Sequence, residues 1–99
     1  MRSFREYLES RFTYLGQCDR LRLGNAENNA AWHEMMKNAE PVPPDEFFKS
    51  VDFSRVMDED ETVEQWIQAN HDAQFFKSVW NGRPAYFAQT GGFEYIFAA

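Results

Sequence analysis

His33-Glu34-Met35-Met36-Lys37 begins as a zinc-protease helix does, with a histidine followed at once by a glutamate. Such a site needs a second imidazole one helical turn further on the same face to share the ion, and Lys37 stands there instead. Cys18 and His71 are scattered relative to His33 and give no ligand spacing. Asp58-x-Asp60-x-Thr62 opens like a calcium loop. Val63, however, replaces the glycine that makes that loop's sharp turn, and Ala69 replaces its closing glutamate. No metal and no other cofactor is expected.

Covalent and acid–base chemistry fare no better. Cys18 could form a dyad with either histidine, but one cysteine in a reducing compartment is usually a small buried hydrophobe. Gly91-Gly92 falls between two apolar runs with no helix after it, so it is not a phosphate loop. The carboxylates of 58–64 crowd together, yet they read as solvated, without the burial or tuned neighbour a catalytic acid requires. The chain reads as a non-enzymatic protein.

What remains is charge and aromatic surface. The net charge is −6, and segment 40–64 holds nine acids against Lys49 and Arg55, a local net of −7. Acidity argues against direct nucleic-acid binding, which works by neutralising phosphates with Lys and Arg. It suits a protein partner with a basic surface. Asp45, Glu46, Asp52, Asp58, Glu59, Asp60, Glu61 and Glu64 could imitate a phosphate track or steer the domain onto a basic groove. The plainer reading is a solvated helix N-terminus. Tyr86, Phe93, Tyr95 and Phe97 have the composition of an interface hot spot, and the C-terminal strand could offer an unpaired edge.

These residues need elements to hold them. Phe75–Trp80, Pro84–Gln89 and Phe93–Phe97 are apolar and aromatic runs separated by Asn81-Gly82 and Gly91-Gly92, the dipeptides of two-residue hairpins. They predict a three-stranded antiparallel meander over about 75–97, with Phe76 opposite Phe87, Lys77 opposite Tyr86, Phe87 opposite Ile96 and Ala88 opposite Tyr95. Alternation then puts Phe76, Ser78, Trp80, Ala85, Phe87 and Ile96 on one face, the expected core. Phe75, Lys77, Val79, Tyr86, Ala88, Phe93, Tyr95 and Phe97 occupy the other, covered by a helix or partly exposed.

Helices are predicted before the meander, over about 3–70. The first starts at a Ser3/Glu6 capping box, carries Phe4, Tyr7, Leu8, Phe12 and Leu15 on one face and stops at Gly16. Residues 17–24 read as a loop. The second helix runs from Asn25 to about Ala39, until Glu40-Pro41 ends it. A short third helix over 44–52 buries Phe47, Phe48 and Val51, with Asp45 and Glu46 at the positive end of its dipole. Phe47-Phe48-Lys49-Ser50-Val51 recurs letter for letter as Phe75-Phe76-Lys77-Ser78-Val79, so a strand is the alternative there. The flanks do not align, and chance is preferred to duplication. A fourth helix follows Asp58–Glu61, capped by Thr62 with Gln65 or by Asp58 with Glu61, and buries Val63, Trp66 and Ile67.

The expected architecture is therefore one α+β domain spanning 1–99, with three to four short N-terminal helices packed on a C-terminal three-stranded antiparallel β-meander. No signal-peptide pattern and no apolar run near the ~20 residues of a membrane span is present. With one cysteine, a cytoplasmic setting and no membrane are expected. The functional expectation is a small acidic binding protein of inhibitor or adaptor type, such as a phage or mobile element uses to block a nucleic-acid-handling machine. The alternative is a homo-oligomeric structural or regulatory domain, a homodimer for instance, pairing through its sheet edge or aromatic face.

Overall fold

The computed structural model of the chain describes residues 12–19 and 26–99. Asn81 and Gly82 take φ of 51° and 76°, and Gly91 and Gly92 of 55° and 90°, the left-handed pairs that close two-residue hairpins. They join β3 (Gln74–Trp80), β4 (Arg83–Thr90) and β5 (Phe93–Ala98). Phe76 lies opposite Phe87, Lys77 opposite Tyr86, Phe87 opposite Ile96 and Ala88 opposite Tyr95, the register expected from the turns.

The meander is only the centre of a larger sheet. Five antiparallel strands are ordered β1-β5-β4-β3-β2, where β1 is Thr13–Asp19 and β2 is the two-residue Glu40–Pro41. This corrects the expected architecture of N-terminal helices stacked on three strands. Three α-helices are described, and they lie between strands in the chain. Residues 1–11, with the Ser3/Glu6 box and Phe4, Tyr7 and Leu8, are outside the described residues. Phe12 and Leu15, expected on the same helical stripe, are not helical. Phe12 makes a parallel bridge to Val51, and Leu15 lies in β1. Gly16, at φ 153°, sits where the register with β5 shifts between Tyr14 and Gly16, and Leu15 there is 45% exposed. A residue was left over for a bulge, and a glycine accepts the backbone that a bulge needs. The expected loop over 17–24 is corrected likewise, since 17–19 are strand; 20–25 lie outside the described residues.

Helix α1 (Ala26–Lys37) is rich in alanine and buries Ala31 and Met35. Ser78 Oγ donates to the Met35 carbonyl at 2.6 Å, tying the helix to β3. The chain leaves it through Asn38, and Pro41 follows in β2. Helix α2 (Pro44–Ser50) has proline at its start, Asp45 and Glu46 in its first turn and Lys49 in its last, all suited to the helix dipole. A 3-10 turn (Phe53–Arg55) and helix α3 (Val63–Ala69) follow. At α3 both bonds of the expected capping box form: Thr62 Oγ1 accepts from Gln65 N at 3.1 Å, and Gln65 Oε1 accepts from Thr62 N at 2.9 Å.

Both sheet faces are covered. On the first, α1 packs Ala31 and Met35 onto Trp80, Ala85, Phe87 and Ile96. On the second, Phe47, Val51, Phe53 and Trp66 close over Phe75, Ala88 and Phe97 in a predominantly aromatic core. Phe47 sits at its middle, with ring centroids 4.9 Å from Phe75, 5.6 Å from Phe53 and 5.7 Å from Phe97.

Candidate functional site: an acidic outer layer

The acidic residues belong to the layer that closes the second face. That layer turns its aromatic rings inward, which leaves its carboxylates outside. Asp45, Glu46, Asp58, Glu59, Asp60 and Glu64 are exposed, and Asp52 and Glu61 are half-buried. Several have local work. Asp52 caps the 3-10 turn, its Oδ1 accepting from Ser54 Oγ at 2.6 Å and Ser54 N at 3.2 Å. Asp58 N donates to Glu61 Oε1 at 3.1 Å while Glu61 N donates to the Asp58 carbonyl at 3.0 Å, so this pair closes its own turn. Glu59 and Asp60 stand between them, and Glu64 occupies the first turn of α3. The cations of the segment, Lys49 and Arg55, are exposed, and the Arg55 guanidinium lies 6.0 Å from the Tyr14 ring centroid.

The four candidate aromatics are not one surface. Phe97 is fully buried, and its ring meets Tyr14, Phe47 and Phe53. Tyr86 is half-buried, edge-on to Phe12 at 4.7 Å. Tyr95 is half-buried against Phe53 and Trp66, and burial raises its phenol above the ordinary 10.0. Phe93 alone among them is exposed, at 38%. The expected free edge on the C-terminal strand is also corrected: β5 is bonded to β4 on one side and β1 on the other. Among the described residues, the outer sides of the sheet belong to β1 and to the part of β3 that two-residue β2 leaves uncovered.

His33 and His71 are exposed and lie on α1 and in the turn after α3, respectively, while the backbone of Cys18 pairs with Glu94. Among the described residues, no group of three or more His, Cys, Asp or Glu is placed to hold a metal ion, and no helix is long and apolar enough to cross a membrane.

Three polar features escaped the sequence reading. Glu94 is fully buried and takes a hydrogen bond from Gln89 Nε2 at 3.1 Å. The hairpin register placed these two opposite each other, so the signal was present. Asp72 accepts from Thr90 Oγ1 at 2.6 Å and from Gly91 N at 3.1 Å, and these two bonds lower its carboxyl below the usual 3.8. The third is a groove of about 650 Å³ at the β3 edge, bounded among the described residues by Phe12, Glu34, Glu40, Lys77, Val79 and Tyr86 together with others. It depends on how short β2 is, which no local pattern reveals.

Comparison of the chain with protein-family models, curated proteins and solved structures finds no match.

Proposed function

We propose that this is a non-enzymatic cytoplasmic binding protein of inhibitor or adaptor type, which holds a partner with a basic surface through the acidic layer between Asp45 and Glu64. A phage or mobile-element protein that occupies the basic groove of a nucleic-acid-handling machine is the specific form of this reading. One observation carries it. The layer is divided by polarity, with an aromatic inner side that makes the core, while Asp45, Glu46, Asp58, Glu59, Asp60 and Glu64 are each exposed. A surface with a strong excess of one sign, here broken only by the exposed Lys49 and Arg55 of the segment, steers association with the opposite sign and discriminates by charge. Within it Glu59, Asp60 and Glu64 are chosen as the contacts to test, because the carboxylates of Asp52 and Glu61 are engaged in a cap and a turn.

The test is capture of DNA-binding proteins on the immobilised chain, with duplex DNA as competitor, at low and high salt. Capture should fall with salt, yield to DNA and be lost in the combined variant Glu59→Gln, Asp60→Asn and Glu64→Gln, whose unfolding midpoint should stay close to that of the parent. Undiminished capture by that variant overturns the reading. So does a salt-independent homodimer with no affinity for basic proteins.

A further inference from the structure

Antiparallel strands point the N–H and C=O of successive residues to alternate sides. In β4 the Pro84 carbonyl accepts from Ala99 N at 3.0 Å, so the polar groups of Pro84 point toward β5 and those of Ala85 toward β3. Ala85 is paired with Ser78, and Pro84 with Val79. The backbone groups of Val79 must therefore point away from β4, out of the sheet. The same parity appears two turns of the pleat earlier, where the Phe75 carbonyl accepts from Val42 N at 2.9 Å on the outer side. There β2 and the residue after it supply partners. At Val79 no strand is present among the described residues, since β2 pairs with only Lys77 and Phe76 and the chain before it belongs to α1.

The groove at that position carries a definite chemistry. Glu34 on α1 flanks it from the first face, with Oε1 at 3.4 Å from Gly82 N. Glu40 flanks it from the second, 3.8 Å from Lys77 Nζ. Val79, Pro84, Tyr86 and Phe12 add an apolar and aromatic wall on the second-face side. An incoming strand would turn alternate side chains to these two sides.

We propose that the edge of β3 at Val79 receives an extended segment of a partner protein as an added strand, in which Lys or Arg residues alternate with apolar ones. The Val79 N–H and C=O pair with its main chain, its cations reach Glu34, and its apolar side chains rest on Val79, Pro84 and Tyr86. This site lies apart from the acidic layer and goes beyond the function proposed above.

The test uses the isotope-labelled full chain and the blocked peptide acetyl-Thr-Arg-Val-Arg-Thr-amide. In the free chain the Val79 amide should exchange about tenfold or more faster than those of Ser78 and Trp80, which are bonded to β4. The peptide should slow Val79 exchange and shift the amides of Lys77, Val79 and Asn81. Glu34→Gln should weaken binding about threefold, and the peptide with Glu in place of Arg should not bind. Val79→Pro, which removes only an outward donor, should abolish binding while the chain stays folded. A Val79 amide already protected in the free chain overturns the proposal, because the edge is then occupied by another part of the chain or a second copy. Equal binding of the Arg and Glu peptides also overturns it. The Glu59→Gln, Asp60→Asn, Glu64→Gln variant should bind the peptide as the parent does, so this site and the acidic layer can fail separately.

Discussion

Phe47-Phe48-Lys49-Ser50-Val51 and Phe75-Phe76-Lys77-Ser78-Val79 are the same five residues, yet the first runs through the end of α2 and the second through β3. Their aromatic pairs are used in opposite ways. In the helix both rings enter one core, Phe47 fully buried and Phe48 edge-on to it at 5.1 Å. In the strand the pair straddles the sheet. Phe75 joins the aromatic core on the second face, and Phe76 stacks on Phe87 at 4.8 Å on the first. What separates the copies is their flanks. Pro43-Pro44-Asp45-Glu46 supplies a fixed φ and acids for a helix start, whereas Asn81-Gly82 supplies the left-handed turn that folds the second copy against β4. The two copies then pack on each other, with the Phe47 and Phe75 rings 4.9 Å apart.

The largest expected effect tests which copy anchors that contact. Phe47→Ala should cost about 3–5 kcal/mol, a large share of the roughly 5–15 kcal/mol that holds a domain together. Phe47 touches Phe53, Phe97 and Tyr86 as well as Phe75, so the cavity has walls on every side. Phe75→Ala should cost less, because Phe75 lies on the strand whose outer neighbour is only two residues long and the site can partly collapse. Denaturant unfolding of both variants measures the difference. Equal losses, or a larger loss at Phe75, would make the strand copy the anchor.

This contrast also marks how far the sequence could be read. The hairpins were legible because their determinants are local: Asn81-Gly82 and Gly91-Gly92 select the turn, and the turn sets the register. α1 and α3 were legible through periodicity and the Thr62–Gln65 box. β1 was not. Phe12 and Leu15 fit a helical period with Phe4 and Leu8, but the strand they enter exists because β5, distant in sequence, takes a second partner there. That pairing leaves no local trace beyond Gly16. In the candidate site six of the eight carboxylates are exposed and Asp52 and Glu61 are half-buried, as charged groups so dense cannot all be buried. The aromatic half was not legible, because alternation tells which face a ring points to, not which face is covered. Three short pieces of helix cover the second face, and Phe97 went inside with it.

A smaller effect, with opposite signs at the two copies, sharpens the comparison. Ser50 Oγ donates to the Glu46 carbonyl at 2.8 Å, one turn back in its own helix. Ser78 Oγ donates to the Met35 carbonyl at 2.6 Å, across the interface between sheet and α1. Ser50→Ala should be neutral or stabilise by up to about 0.5 kcal/mol, since alanine is the better helix former and the lost bond is solvent-exposed. Ser78→Ala should destabilise by about 0.5–1.5 kcal/mol, the net worth of a partly buried hydrogen bond. Thermal unfolding of the two single variants reads the sign. A loss at Ser50 as large as at Ser78 would mean that the helix copy depends on its serine as much as the strand copy does.

The smallest effect concerns the entrance to the strand copy. Asp72 lies two residues before β3 and fastens the β4–β5 turn to it, through Thr90 Oγ1 and Gly91 N. Those bonds favour the charged carboxylate and lower its pKa from 3.8. A lowered folded-state pKa means that the unfolded chain takes up the proton first as pH falls. The stabilisation from Asp72 is thus complete above 3.8, declines as the pH passes below that value, and is gone beneath the folded-state pKa. Because the carboxylate is exposed, solvent screens the contribution and the effect is modest. Asp72→Asn should flatten the acid limb of the stability curve in that window and leave neutral-pH unfolding only slightly weaker. Hydrogen exchange in the same window should quicken first at Gly91, beside the strand copy, before any change at Val51, whose N–H is bonded to the Phe47 carbonyl in the helix copy. An acid limb of identical steepness in parent and variant would remove Asp72 from the account.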